Sequence, residues 1–141
     1  MSVRDAVIRH FFACRSVRFF PAQKRFEIDT LIYQITLPVN ATATLFSDMD
    51  LFLLVADGLG QQTFVVSLVS RDHDDPNEER LHYQSAPYTV DLGSDPLKVY
   101  PIKIPLRSVP IPRPGHYELV LKWEGRIREE CREPIEVRSR S

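Results

Sequence analysis

The chain predicts an all-β protein, a β-sandwich of about eight mostly antiparallel strands. Three observations carry that prediction. Apolar and polar residues alternate over several short stretches, the pattern of half-buried strands. Turn residues recur roughly every 8–15 positions between those stretches. Eleven prolines stand against five glycines, and proline disfavours helix interiors and central strands alike, which leaves edges, turns and extended connections. Residues 1–141 read as a single β-sandwich domain, long enough to bury most of its apolar surface without staples.

Residues 6–14, AVIRHFFAC, read as a buried strand on their β-branched and aromatic content. A short helix is the alternative, with Ala6, Ile8, Phe11 and Phe12 on one face. Residues 15–24, which hold Pro21, read as a connection. Residues 26–37 alternate at Phe26, Ile28 and Thr30, then at Leu31, Tyr33, Ile35 and Leu37. The parity slips by one between Thr30 and Leu31, a slip that a β-bulge repairs. Pro38 closes the strand. Residues 49–56, MDLFLLVA, are the most continuously apolar and belong in the middle of a sheet. The Asp57-Gly58-Leu59-Gly60 turn then leads into residues 62–70, which predicts a hairpin across 51–62. Residues 71–80 form a polar loop around Pro76, and residues 81–83 and 88–92 are short strands.

In residues 98–107, KVYPIKIPLR, Ile102, Ile104 and Leu106 share one face and Pro101, Lys103 and Pro105 the other. Alternate backbone N–H groups of a strand point to the same side, so Pro101 and Pro105 strip donors from one flank. An edge strand protected against aggregation tolerates that; a central strand does not. Pro110, Pro112 and Pro114 predict an extended, polyproline-like crossover.

Residues 110–137 carry the best alternating stripe. Tyr117, Leu119, Leu121 and Trp123 face one way, and Glu118, Lys122 and Glu124 the other, with Val120 the exception. Pro114-Gly115 is a turn pair that leads into this strand. Two registers compete for the hairpin that follows. A two-residue turn at Glu124-Gly125 pairs Leu121 with Arg128 and Leu119 with Glu130. A three-residue loop pairs Trp123 with Ile127 and Leu119 with Cys131, and keeps apolar groups on one face.

The opening RHFFACRSVRFFP…KRFEIDTLIYQITLP resembles small bacterial all-β proteins found chiefly in planctomycetes and of no assigned function. The closing Val109-Pro110…Pro114-Gly115-His116-Tyr117-Glu118-Leu119 is similar to their final strands, and to the Pro-Gly-x-Tyr start of strands in many immunoglobulin-like and fibronectin-like domains. The resemblance implies an immunoglobulin-like or fibronectin-like β-sandwich, and it brings no known catalytic set to carry over. The paired Cys…Trp…Cys spacing of true immunoglobulin domains is missing.

Chemistry-bearing motifs are sparse. Cys14 and Cys131 are the two cysteines. The first twenty residues lack the continuous apolar core of a signal peptide, being interrupted by Asp5, Arg9, His10 and Arg15. The chain therefore reads as cytoplasmic, with two buried thiols rather than a disulfide. The longest apolar run, residues 51–56, falls far short of a membrane span of about 20 residues. No Gly-x-Ser-x-Gly elbow is present. His10, His73, His82 and His116 fall at no metal-ligand spacing, although His10 and His116 would approach each other if the first strand lay beside the last hairpin. Asp72, Asp74, Asp75 and Glu78 make one dense cluster of hard oxygens, without the glycine and spacing of a calcium loop. A solvated loop is expected there, with calcium as the alternative. Gly58-Leu59-Gly60 is too short to cradle phosphate. Arg126, Arg128 and Arg132 alternate with Glu129, Glu130 and Glu133, the mix of a soluble edge strand rather than a nucleic-acid track.

The net charge of −1 hides three blocks: +5 over residues 1–25, −10 over 26–97 and +4 over 98–141. Solvated faces are the plain reading, and association of complementary fields the sharper one. The sequence thus points to a non-enzymatic module without cofactor, nucleic acid or membrane, acting through an unidentified protein partner or a second copy of itself. A small-ligand or calcium-binding domain using the 71–80 loop is the alternative.

Overall fold

The computed structural model describes residues 6–38, 45–71, 78–95, 97–123 and 130–139. They form ten strands and no α-helix: β1 (Val7–Phe20), β2 (Arg25–Ile32), β3 (Gln34–Leu37), β4 (Leu45–Ala56), β5 (Gln61–Arg71), β6 (Glu79–Gln84), β7 (Tyr88–Asp91), β8 (Tyr100–Ile111), β9 (Gly115–Trp123) and β10 (Glu130–Ser139). A single 3-10 turn, Pro21–Gln23, joins β1 to β2. One sheet has the order β2-β1-β4-β8; the other runs β3-β10-β9-β5-β6, with β7 also paired to β5. All pairs are antiparallel except β3 with β10. The all-β, two-sheet expectation is borne out, with ten strands where about eight are predicted from spacing.

Alternate residues of both sheets pool into one core. Leu51, Leu53 and Val55 of β4 and Ile102, Ile104 and Leu106 of β8 join Phe64, Val66 and Leu68 of β5 and Tyr117, Leu119 and Leu121 of β9. This is the period-two pattern of strands buried on one face. β8 is the edge of the four-stranded sheet, paired only to β4, as its prolines require. Between Ser47 and Met49 the register shifts, so that Arg107 and Ser108 together oppose Asp48. Ser108 takes a left-handed φ of 55°, and its N–H donates to Asp48 Oδ1 at 2.8 Å. This bulge moves the inward parity from Leu106 to Val109 and Ile111, which are buried. It also brings Pro110 onto the same flank as Pro101 and Pro105.

Several expectations are corrected. Residues 15–20 are not a connection, because β1 runs on to Phe20 against β2. No bulge interrupts the pairing at Thr30–Leu31: the β1–β2 register is constant from Ala13↔Ile32 to Phe20↔Arg25. The parity slip falls at Tyr33, where the chain leaves one sheet for the other, and Leu31 and Tyr33 are exposed. β4 is central, between β1 and β8, but it does not form a hairpin with β5. The two lie in different sheets, joined by an arch. Gly58 sits so deep in that arch that a Cβ would meet Leu92 Cδ1 at 2.4 Å and Ala6 Cβ at 2.9 Å. Pro110 belongs to β8 rather than to a crossover, and residues 112–114 alone turn the chain into β9. Gly115 starts β9 at φ 153°, a value that L side chains rarely adopt.

The last hairpin adopts neither register foreseen. Leu121 pairs with Cys131, Leu119 with Glu133 and Tyr117 with Ile135. The shift of two residues from the three-residue-loop register preserves parity, so apolar groups stay on one face. The turn at Glu124-Gly125 lies outside the described residues.

Candidate functional site: a cation-rimmed apolar groove

The face of β4 turned away from the core is also apolar: Phe52 and Leu54 stand beside Asp50. What covers them is the β1–β2 ribbon. β1 pairs with β4 only as far as Cys14↔Asp50. A straight strand would carry Phe19 and its partner Phe26 about 17 Å past that point, at some 3.3 Å per residue. Instead the Phe26 ring lies 4.4 Å from the Phe52 ring, and Phe12 lies 5.1 Å from it on the other side. The ribbon has left the plane of the sheet and crossed the outer face of β4. Thr30, opposite Arg15 in the ribbon, takes a left-handed φ of 53° at this corner, a conformation a β-branched residue enters only when its surroundings hold it there.

Asp50 fastens the corner. Its side chain is 3% exposed. It accepts the Val17 N–H at 3.3 Å and Arg107 Nη2 at 3.2 Å, with Lys103 Nζ at 3.6 Å. The Cys14 thiol donates to the Asp50 carbonyl at 3.4 Å. Burial, and then the Asp50 charge, push the Cys14 thiol up to about 11. That keeps it protonated and unreactive.

Where the ribbon tip approaches the start of β8, a groove of about 910 Å³ opens. Phe19, Phe26, Leu54, Val99, Tyr100 and Pro101 make its apolar lining. Lys24, Arg25 and Lys98 stand at its rim. Lys98 Nζ lies 4.9 Å from the centre of the Tyr100 ring, and the Arg25 guanidinium lies at the same distance over Phe20. Arg25 also bridges Glu27 at 3.6 Å. Among the described residues, Lys24 and Lys98 have no carboxylate partner. Phe19 and Val99 are 39% and 49% exposed, so the lining faces solvent. The neighbouring β8 flank lacks N–H donors at Pro101 and Pro105, so an added strand finds little to pair with there. Side chains, not backbone, are what this surface offers.

The residues singled out from sequence fall elsewhere. Asp72, Asp74, Asp75, His73, Arg126 and Arg128 lie outside the described residues. Glu78 is exposed ahead of β6. Among the described residues no three His, Cys, Asp or Glu side chains are grouped to hold a metal. Neither cysteine forms a disulfide; Cys14 is buried in the four-stranded sheet and Cys131 half-buried in the other. His10 on β1 and His116 on β9 belong to different sheets. Arg132 joins Arg71, Glu79 and Glu118 in a ring of ion pairs of 2.6–3.5 Å on the outer face of the six-stranded sheet. Arg132 holds the Glu79 carboxyl below its ordinary range. The groove was missed in the sequence because Phe19 and Val99 are eighty residues apart in the chain. The one signal was the double run of apolar residues in 49–56, which needs a cover on both faces.

No protein-family model and no curated protein matches this sequence. Among solved structures, a β-glucosidase from Listeria innocua in complex with gluconolactone is similar over 92% of this chain and 16% of that one, at 12% identity and a TM-score of 0.49. The chain thus spans a small part of that enzyme's length. No helix among the described residues is long and apolar enough to cross a membrane.

Proposed function

We propose that this chain is a non-enzymatic, immunoglobulin-like β-sandwich module that binds a segment of another protein. The segment bears aromatic or leucine side chains next to carboxylates. The observation that carries this reading is the groove lined by Phe19, Phe26 and Tyr100, with Lys24 and Lys98 uncompensated at its rim. Apolar anchors in such a groove supply affinity, and the rim charges select an acidic partner and speed its arrival. The donor-poor β8 flank favours recognition through side chains over strand addition. The immunoglobulin-like assignment is supported by Tyr117 at the start of β9, whose hydroxyl donates to the Arg113 carbonyl four residues upstream at 2.6 Å. That is the geometry of a tyrosine corner.

Selection of displayed random peptides against the folded chain tests this. Enriched peptides should combine Asp or Glu with aromatic or leucine residues. Lys98→Glu and Phe19→Ser should each weaken them by about tenfold or more. Basic peptides, or peptides that both variants still bind, would refute the reading. A dimer seen by sedimentation and lost in Lys98→Glu would replace the foreign partner with a second copy.

A further inference from the structure

At the opposite side of the six-stranded sheet the ends of β5, β6 and the β8–β9 turn converge on a second, polar pocket of about 260 Å³. It is lined by Ser70, Arg71, Arg80, Arg113 and His116, with Gly115 and Tyr117 at its base. The three guanidiniums are not equivalent. Arg71 is engaged by Glu79 and Glu118, each at 3.2 Å. Arg80 and Arg113 have no carboxylate partner among the described residues. The backbone that carries Arg113 is held by the Tyr117 hydroxyl. Ser70 Oγ is held by His82 Nε2 at 2.6 Å. Burial and then the charges of Arg113 and Arg80 push the His82 ring below its ordinary range. The positive field of both guanidiniums thus reaches into this corner.

We infer that this pocket binds a phosphate monoester dianion, clamped between Arg80 and Arg113 with Ser70 at its side. Two guanidiniums without a carboxylate partner among the described residues match a charge of −2, and the planar guanidinium fork fits two oxygens of one phosphoryl group. Arg80 stands at the start of β6 and Arg113 on the β8–β9 turn, and both are exposed, so they approach the phosphoryl group from two directions without burial of either charge. The pocket is polar and too small for a drug-sized ligand, which suits a head group rather than a whole cofactor. The phosphoryl group belongs either to a small ester or to a phosphorylated side chain of a polypeptide, and the chemistry of capture is the same.

The full chain, labelled with nitrogen-15, is titrated at low salt with inorganic phosphate, with phenyl phosphate and with a phosphoserine peptide. Saturable shifts of the backbone amides of Ser70, Arg80, Gly115 and His116 are expected. Arg80→Gln and Arg113→Gln should each weaken binding about tenfold, equal to ~1.4 kcal/mol, and together abolish it. Arg138→Gln removes an arginine that pairs with Glu136 on β10 and should change nothing. Tighter binding of the peptide than of the free esters assigns the phosphoryl group to a polypeptide; equal binding assigns it to small esters. Absence of saturable shifts at these amides, or equal weakening by Arg138→Gln, overturns the inference. Both pocket arginines are on the surface, so the spectra of the variants also report that the fold is intact.

Discussion

Asp50 shows how one side chain decides the course of a whole strand. It sits at an outward position of β4, where the flanking residues Phe52 and Leu54 are apolar, and there it gathers the Val17 N–H, Arg107 and Lys103. Removing it leaves a buried N–H without an acceptor. Asp50→Ala should therefore cost about 2 kcal/mol in urea denaturation, and Asp50→Asn, whose amide oxygen still accepts, less than half as much. His82 supplies a second test. Burial depresses its proton affinity in the fold, so the unfolded chain binds more protons below its ordinary value of 6.5. Stability is then fully present above that pH, falls as pH drops through it, and levels off once the folded ring also titrates. Glu133, whose carboxyl is raised by burial, works in the opposite sense from 4.5 upward. The measurement is accordingly the difference between wild type and His82→Gln at pH 7.5 and 5, and the variant should lose less on acidification. Of these residues the sequence made only the inertness of Cys14 legible, through its place in a strand. Asp50 is an acid within an apolar run, and its cations lie more than fifty residues away.

At the scale of elements, the edge position of β8 was legible from Pro101 and Pro105 because backbone donors, unlike side-chain contacts, are fixed by residue type alone. Pro101→Thr combined with Pro105→Thr restores two N–H groups to the free flank. The double variant should self-associate at concentrations where wild type stays monodisperse, as light scattering would register. The β1–β2 ribbon was not legible. Its strands were half-recognised, yet the alternation of Phe26 and Ile28 says only that one face is buried, not against what. The answer lay on β4, in a second apolar face that reads identically to a strand held between two layers. The parity slip in residues 26–37 falls at Tyr33 rather than between Thr30 and Leu31, because a change of sheet and a bulge leave the same mark on a pattern of period two.

For the molecule as a whole, the two-layer architecture followed from many short alternating stretches, and the wiring between layers did not. Residues 57–60 offer glycines that suit a hairpin and an arch equally well. The arch is decided by the Leu92 and Ala6 side chains that close on Gly58. Gly58→Ala should accordingly be destabilising by about 2 kcal/mol through overpacking, read as a lowered denaturation midpoint with an unchanged slope. The order β3-β10-β9 has a further consequence. β10 follows both of its neighbours in the chain and is inserted between them, and a parallel neighbour cannot be supplied by a tight turn. On the ribosome, β3 and β9 must wait with open flanks until β10 clears the exit tunnel. A nascent chain stalled before β10 emerges would therefore present those two flanks to chaperones.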